Sequence, residues 1–168
     1  MKSINTLVFD IDGTLTDGGI IITENGFETK VFCDRDGLIL RVLPVLGFYT
    51  IALTGRKSKS VEIRAKDLKF TQVFQGVSDK EKVLREFLAN ESIPFQNVGY
   101  IGNDLNDYLP MKMCGYRACP ANATREIREL AMYVSSYNAG DGAVRDICEQ
   151  LICAQGKYAK FLGLFGIT

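Results

Sequence analysis

Short apolar runs alternate with longer amphipathic stretches along almost the whole of this 168-residue chain. The apolar runs are too short for buried helices and are predicted to be strands, at Thr6–Phe9, Tyr49–Leu53, Gln72–Phe74, Val98–Ile101, Tyr116–Cys119 and 132–134. Helical patterns lie between them, at 36–46, 59–68, 78–90, 107–114, 124–130 and 142–154. Apolar strands separated by helices predict an α/β fold, with a Rossmann-like parallel sheet sandwiched by helices. The carboxyl ends of the strands then share one edge, where such sheets hold their ligands.

One segment, 19–33, departs from this alternation. It consists of two extended pieces around Glu-Asn-Gly at 24–26, and Asn-Gly is a strong signal for a β-hairpin turn. No linker, repeat or low-complexity tract divides the chain. We therefore expect a single domain over 1–168, with a small hairpin inserted after the first strand and no cap domain. Ser78 and Glu81 have the spacing of a capping box, which predicts the start of a helix there.

Composition excludes several kinds of site. Lys and Arg together number 20, as do Asp and Glu, so the chain lacks the basic surplus that a general nucleic-acid binder needs. The absence of His excludes Ser-His-Asp triads and His-ligated zinc. The longest apolar stretch, 37–53, contains Arg41 and Pro44, so no membrane association is expected. The 5 cysteines form no Cys-x-x-Cys pair, and an odd number fits no closed disulfide set, so we expect free thiols and a cytoplasmic protein.

Polar side chains follow the predicted strands at the edge where the strands end. Asp10 and Asp12 follow the first strand; such a pair alone would be only an acidic turn. Thr54 follows the second main strand, Lys80 lies in the first turn of a later helix, and Gly-Asn-Asp-Leu-Asn-Asp occupies 102–107. A carboxylate pair, a hydroxyl, a lysine and a second acidic cluster at one edge together indicate metal-assisted phosphoryl transfer.

In their order, Asp-x-Asp-Gly-Thr, Thr-Gly-Arg, a lysine and Gly-Asn-Asp-x-x-Asp resemble the four motifs of the haloacid dehalogenase superfamily. The resemblance extends over nearly the whole chain. It is closest to the small cap-less subfamily that contains the phosphatases of octulosonate 8-phosphate and of nonulosonate 9-phosphates. The matching phrases are DIDGTLTDG at 10–18, TGRK at 54–57, QGVSDK at 75–80, GNDLND at 102–107, GDGAV at 140–144 and AQGK at 154–157.

The resemblance implies a phosphatase that works through an aspartyl-phosphate intermediate. Asp10 would be the nucleophile and Asp12 the general acid and base. Thr54 would bind the phosphoryl oxygens, and Lys80 would neutralise the charge that develops during transfer.

The resemblance also implies a Mg²⁺ site. The ion would lie between the Asp10 carboxylate, the Asp12 backbone carbonyl and the last motif, which contributes Asn103 and Asp104, with Asp107 behind them. The family usually has Asp where this chain has Asn103, and the neutral amide predicts a lower affinity for the metal. The departure leaves one alternative of another class: a non-catalytic assembly domain, like those fused to sialic-acid-activating enzymes.

Arginines near the predicted site suit a substrate with a second anion, because a guanidinium binds a carboxylate in a bidentate manner. By resemblance, the substrate-binding set is Asp34, Arg35, Asp36, Gly37, Arg41, Gly55, Arg56 and Arg64. The relatives that act on nonulosonate 9-phosphates tend to have an acidic residue in place of Arg56. The expected substrate is therefore 3-deoxy-D-manno-octulosonate 8-phosphate. A nonulosonate 9-phosphate stays open as the alternative, since the Gly-Asn-Asp variant is closer to the sialic-acid branch.

Two segments predict self-association. Alternation along the hairpin gives an apolar face that includes Ile20, Ile22 and Phe32, and little of the chain is left to cover it. The tail, 155–168, is rich in apolar residues and is either a disordered end or docked on another surface. The family resemblance implies a homotetramer in which hairpins meet at the centre and the tail reaches the site of a neighbouring subunit.

Overall fold

The computed structural model describes Met1 and residues 3–167. The strands are β1 (Thr6–Phe9), β2 (Ile21–Ile22), β3 (Glu28–Thr29), β4 (Tyr49–Leu53), β5 (Gln72–Phe74), β6 (Val98–Ile101), β7 (Tyr116–Cys119) and β8 (Tyr133–Val134). The helices are α1 (Asp34–Val42), α2 (Lys59–Asp67), α3 (Lys80–Asn90), α4 (Leu105–Met113), α5 (Arg125–Leu130), α6 (Ala143–Ala154) and α7 (Tyr158–Gly163). A single 3₁₀ turn, Phe95–Asn97, precedes β6.

The main sheet has six parallel strands in the order β5-β4-β1-β6-β7-β8. Strand β1 lies between β4 and β6, and Thr6 is in register with both Tyr49 and Val98. Because the strand order reverses direction at β1, the crevice beyond its carboxyl end is where such a sheet holds a ligand. The predicted α/β fold is confirmed, and no cap domain is present in the part of the chain that the structure describes.

Side chains of the central strands alternate between the two faces of the sheet. In β1, Leu7 and Phe9 lie on one face and Val8 on the other. Helices α1, α2, α6 and α7 cover the first face, and α3, α4 and α5 cover the second. The sheet is therefore buried on both sides, which explains why its strands are apolar throughout.

The segment after β1 forms the predicted hairpin. Strands β2 and β3 pair antiparallel, and Thr23 donates its backbone N–H to the carbonyl of Phe27. Gly26 has φ of +78°, the left-handed conformation that closes a three-residue hairpin loop. One expectation is wrong: Phe32 is not on the exposed face of the hairpin, because it packs against the core of its own chain.

Three helices start two residues away from the predicted position. Helix α3 is capped by Asp79, which accepts the N–H of Lys82 at 2.9 Å, so the predicted capping box of Ser78 and Glu81 is wrong. Helix α4 begins two residues early because Asp104 accepts the N–H of Leu105. Helix α1 also begins two residues earlier than predicted, at Asp34, and it ends at Val42, shortly before Pro44.

The C-terminal tail docks on its own chain. The side chain of Phe161 in α7 is only 1% exposed, and the guanidinium of Arg145 in α6 lies 5.1 Å from the centre of its ring. Of the two expectations for the tail, docking is therefore the one observed, although Thr168 lies outside the described residues. Among those residues, no helix has the length and apolar character needed to cross a bilayer.

Candidate active site

The turn after β1 brings its two aspartates to the carboxyl edge of the sheet. Asp10 is buried, and its N–H continues the sheet by donating to the carbonyl of Ile101 at 2.9 Å. Asp12 lies further out, between the core and the hairpin. Gly13 has φ of +82°, and a Cβ at this position would overlap the side chain of Asn103. Glycine is therefore required both for the turn and for the close approach of the last motif.

Lys80 connects the first and last motifs. Its ammonium donates to Asp10 Oδ1 and to Asp107 Oδ1, each at 2.7 Å, and its side chain is buried. Asp107 also accepts from the hydroxyl of Tyr100 at 2.8 Å and from the backbone N–H of Asn103 at 2.9 Å. Asp107 thus accepts hydrogen bonds from Lys80, from Tyr100 and from the backbone N–H of Asn103, and it holds Lys80 against Asp10.

Burial sets the electrostatics of this cluster. Burial and the neighbouring charge of Asp107 raise the pKa of Asp10 from 3.8 to about 7, although Lys80 opposes the shift. Burial lowers the pKa of Lys80, but the charges of Asp10 and Asp107 outweigh it and raise that pKa overall. The ammonium is therefore kept charged where negative charge would develop during phosphoryl transfer.

Asn103 contacts the oxygens that a metal would need. In the orientation that satisfies its neighbours, its amide nitrogen donates to Asp10 Oδ2 and to the Asp12 carbonyl, both at 3.1 Å, and to the Thr14 hydroxyl at 3.0 Å. Three oxygen acceptors of different residues thus converge on one side chain. A carboxylate, a backbone carbonyl and an amide oxygen are hard donors of the kind that Mg²⁺ prefers, so the residues present fit this ion.

Asp104 has a different environment. Its side chain caps α4, although the residue also lines the cavity described next. The cap uses Oδ1 of Asp104, so direct coordination of a cation would have to use Oδ2 or compete with the cap. In the described part of the chain no group of three or more His, Cys, Asp or Glu could hold a metal ion. A cation here thus depends on the backbone carbonyl and on the amide of Asn103.

These groups open into a cavity of about 180 Å³. It is lined by Asp10, Asp12, Thr54, Gly55, Arg56, Asp104 and Asn106. The hydroxyl of Thr54 lies 3.4 Å from Asp12 Oδ2. A larger open hollow of about 610 Å³ lies at the opposite end of the strands, and none of the predicted catalytic residues lines it. The chemistry therefore belongs to the smaller cavity.

The hairpin contributes two side chains that sequence reasoning missed. The ammonium of Lys30 forms ion pairs with Asp12 and with Glu28. Glu28 in turn binds Nη1 of Arg56 at 3.0 Å. Asn106 was also missed, although its place in the last motif was a usable signal. For the two hairpin residues, the sequence offered only their charge, which Glu24 in the same segment shares.

Several predicted substrate-binding residues serve the fold within their own subunit. The residues that do not line the cavity are Asp34, Arg35, Asp36, Gly37, Arg41 and Arg64. Asp36 is buried, and its Oδ1 accepts the backbone N–H of Arg145 at 2.7 Å, so it caps the start of α6. Arg35 binds Asp141 at 2.7 Å beside that cap. Burial raises the pKa of Asp36, as expected for a carboxylate removed from water.

The other two arginines are also held by neighbouring groups. Arg64 lies over the ring of Phe32 at 5.7 Å and binds Asp67 at 2.7 Å. A Cβ at Gly37 would overlap the guanidinium of Arg64, so this glycine makes room for it. Arg41 lies 3.7 Å from Asp67 and also faces Asp34 at 3.6 Å. Within one subunit, Arg56 is thus the predicted arginine that reaches the cavity.

Known proteins are similar to this chain over most of its length. A family described as haloacid dehalogenase-like hydrolase matches residues 52–147. The 3-deoxy-D-manno-octulosonate 8-phosphate phosphatase of Escherichia coli K12 is 38% identical over 162 residues, which cover 96% of this chain and 86% of the relative. The corresponding enzyme of Yersinia pestis is 36% identical over 96% of this chain and 87% of its own length.

Solved structures are similar over the same extent. The 3-deoxy-D-manno-octulosonate 8-phosphate phosphatase of Moraxella catarrhalis, crystallised with a magnesium ion, a phosphate ion and a KDO molecule, has a TM-score of 0.94 and 35% identity. That match covers 98% of this chain and 94% of the other. A cobalt-bound form of the phosphatase from Haemophilus influenzae has a TM-score of 0.88 and 30% identity, covering 93% and 91% of the two chains.

Proposed function

The chain belongs to the haloacid dehalogenase-like hydrolase family, and from this premise we propose that it is a magnesium-dependent phosphatase of 3-deoxy-D-manno-octulosonate 8-phosphate. One observation of the structure carries the proposal. Asp10 is buried at the carboxyl end of β1, paired with Lys80 at 2.7 Å, in a cavity that also contains Asp12 and Arg56. The cavity therefore holds a nucleophile, a fixed positive charge, a second carboxylate and a carboxylate-binding cation.

The reaction uses the two aspartates in turn. The Asp10 carboxylate attacks phosphorus, the bond from phosphorus to the sugar oxygen breaks, and that oxygen takes the proton of Asp12. In the second step Asp12 removes a proton from water, whose oxygen attacks phosphorus. The bond to Asp10 breaks, inorganic phosphate leaves, and both carboxylates return to their starting state. Lys80 stays in place throughout and stabilises the added negative charge.

Three residues would hold the magnesium ion: Asp10 through its carboxylate, Asp12 through its backbone carbonyl and Asn103 through its amide oxygen. When bound, the ion would neutralise phosphoryl charge and reduce the repulsion between Asp10 and an anionic substrate. Asn103 must present its carbonyl oxygen to the ion, although the amide orientation that satisfies its neighbours places its nitrogen against the same oxygens. Asp104 would contribute through a water molecule while it keeps its cap on α4.

Arg56 favours a sugar acid as the substrate. It lines the cavity, and its side chain is 47% exposed, so it can meet a carboxylate at the mouth of the site. The names of the relatives support the eight-carbon acid over a nonulosonate 9-phosphate. The intact pairing of Lys80 with Asp10 argues against a purely non-catalytic assembly domain.

We also propose that the enzyme is a homotetramer assembled through its hairpins. Ile22 is 68% exposed and Phe27 is 71% exposed, and Ile20, Ile21 and Val31 are exposed beside them. Such a patch on a two-stranded hairpin is a liability unless a partner covers it. Neighbouring subunits would also supply the predicted arginines that do not reach the cavity of their own chain. We place the protein in the cytoplasm, where the thiols of its 5 unpaired cysteines stay reduced.

A phosphate-release screen tests the proposed function. Octulosonate 8-phosphate, nonulosonate 9-phosphates and neutral sugar phosphates are compared at the same Mg²⁺ concentration. We expect octulosonate 8-phosphate to give the highest kcat/KM. Asp10→Asn is the matched control, because the amide keeps the shape of the carboxylate but cannot attack phosphorus. A higher kcat/KM for a nonulosonate 9-phosphate would overturn the substrate, and turnover by folded Asp10→Asn would overturn the mechanism.

A further inference from the structure

The hairpin places a series of alternating charges between the general acid and base and the mouth of the cavity. Asp12 pairs with the ammonium of Lys30, and Lys30 lies 2.6 Å from Oε1 of Glu28. The other oxygen of Glu28, Oε2, lies 3.0 Å from Nη1 of Arg56. Four charged groups from three separate segments, the turn after β1, the hairpin and the turn after β4, are thus linked in series. We call this series, Asp12, Lys30, Glu28 and Arg56, the charge chain.

We propose that Glu28 positions the guanidinium of Arg56 for the carboxylate of the substrate, with Lys30 anchoring Glu28 to the floor of the site. This inference rests on the proposed function, since it concerns how the sugar acid is recognised. It adds a residue of the hairpin to the specificity of the enzyme and gives the hairpin a role besides assembly.

Burial at the inner end keeps the charge chain in place. The side chain of Lys30 is only 1% exposed, and a charge removed from water is stable only when it is paired. Its two partners are carboxylates, so movement of Glu28 away from it would leave the ammonium with Asp12 alone. The backbone carbonyl of Glu28 also accepts from the Ser60 hydroxyl at 3.4 Å, which ties β3 to α2. Glu28 is therefore held on two sides.

The outer end of the charge chain, Arg56, is exposed to solvent. Arg56 is about half exposed, and Glu28 is the side chain that it contacts among the described residues. The contact uses Nη1, which leaves the other N–H groups of the guanidinium for a substrate carboxylate. A long side chain that is already held loses less conformational freedom when the ligand binds. Glu28 therefore raises affinity for the carboxylate, and because Lys30 anchors it, the substrate does not have to displace it.

The test separates recognition of the carboxylate from phosphoryl chemistry. Glu28→Gln removes the charge at nearly constant shape. Two substrates are compared, octulosonate 8-phosphate and p-nitrophenyl phosphate, which has no carboxylate. The free sugar acid, octulosonate, is also titrated as an inhibitor of p-nitrophenyl phosphate hydrolysis. We expect KM for the sugar-acid phosphate and Ki for octulosonate to rise about tenfold, as for one charge-assisted contact, while KM for p-nitrophenyl phosphate changes far less.

The matched control is Glu24→Gln, the same change in the exposed turn of the same hairpin, which is expected to leave both KM values at those of the wild type. A second variant, Lys30→Gln, removes the anchor and is expected to raise the same KM and Ki, so the test does not depend on one protein folding. In the background of Arg56→Gln, adding Glu28→Gln should cause no further loss, because Glu28 acts through that arginine.

The outcomes distinguish failure of the positioning role of Glu28 from failure of the proposed function. Equal increases of KM for both substrates, an unchanged Ki for octulosonate, or additive losses in the double variant would overturn the positioning role while the wild type still hydrolyses the sugar-acid phosphate. If the wild type neither hydrolyses that phosphate nor is inhibited by octulosonate, the proposed function itself fails, and the positioning role fails with it.

Discussion

Burial of Asp10, the residue that we propose as the nucleophile, favours its protonated form in the folded chain. Burial beside Asp107 raises its pKa from 3.8 to about 7, and in the unfolded chain it would titrate near 3.8. The folded protein therefore holds a proton that the unfolded chain releases between these values. The stability from this proton is fully present below about pH 4 and is lost as the pH rises through about 7.

This linkage can be measured on chelator-treated protein. Between pH 4 and pH 8 we expect the Tm of the wild type to fall more than that of Asp10→Asn, because the amide does not titrate. The other groups that titrate in this range are the same in both proteins, so their contribution to the change in Tm cancels in the comparison. Parallel Tm profiles for the two proteins would show that Asp10 has the same pKa in the folded and unfolded chain.

Also at the scale of single residues, we expect Asn103 to set the affinity of the site for magnesium. Replacing its neutral amide by a carboxylate adds a charge next to Asp10 and should tighten Mg²⁺ binding by about tenfold, since affinity rises with the charge of the ligands. Calorimetric titration of Asn103→Asp with Mg²⁺ gives the dissociation constant of the ion without requiring turnover. Asn106→Asp is the matched control, as Asn106 lines the cavity but does not contact Asp10. Equal affinity in Asn103→Asp and wild type would place Asn103 outside the coordination sphere.

At the scale of single elements, α6 begins under a cap that another helix supplies. Asp36 of α1 accepts the N–H of Arg145, and helix α6 has no side-chain cap of its own. We expect Asp36→Ala to lower the free energy of unfolding by about 1 kcal/mol, the usual cost of a lost cap, with KM unchanged. Asp36→Asn, which keeps an acceptor oxygen, should lose less, and the exposed Asp34→Ala should lose almost nothing.

Denaturant titration gives the stabilities, and steady-state kinetics gives KM. A raised KM in Asp36→Ala at unchanged stability would show that Asp36 binds the substrate, as the family resemblance implied.

Elements whose signal is local could be predicted from the sequence. The strands and the Asn-Gly hairpin follow from apolar runs and turn residues, and the carboxyl edge of the sheet then brings Asp10, Thr54 and Lys80 together. The cap of α3 was missed by one residue, because Ser78 and Asp79 are both good caps and only the local geometry decides between them.

Contacts between distant segments could not be predicted in this way. Spacing does not determine in which direction a hairpin leans, so nothing local connected Lys30 with Asp12. The family resemblance assigned the Arg-Asp-Gly segment to the substrate. It could not indicate that Asp36 caps a helix more than 100 residues away in the chain, or that Gly37 makes room for Arg64.

At the scale of the whole molecule, the hairpin has one face toward the cavity and one apolar face toward solvent. If hairpins assemble the proposed tetramer, a charge on the apolar face should break it. We expect Phe27→Lys to reduce the mass measured by light scattering at micromolar concentration. Val45→Lys is the matched control, because Val45 is also exposed but lies outside the hairpin, after α1. A wild type that is a stable, active monomer would contradict the assembly.

The tail has a buried part, which ends at Phe161, and an exposed apolar part beyond it. Variants in the two parts therefore test packing and function separately. The ring of Phe161 is buried under α6, whereas Leu164, Phe165 and Ile167 beyond it are exposed. Deleting 163–168 therefore removes the exposed apolar end but keeps the buried ring, so the fold and the mass of the oligomer should be preserved. If the exposed end reaches the cavity of a neighbouring subunit, the deletion should change KM or kcat by several-fold, about the effect of one lost apolar contact in a site.

Light scattering measures the mass of the oligomer, and steady-state kinetics on the same preparation measures KM and kcat. Phe161→Ala is the contrasting variant: it removes the buried ring and should lower Tm, since loss of a buried aromatic side chain costs about 3–5 kcal/mol. Kinetics identical to the wild type in the truncated protein would mean that the exposed end does not act at the site. A changed KM with an unchanged Tm in the truncated protein would instead show that the apolar end acts on substrate binding. Loss of packing alone would change KM only together with Tm.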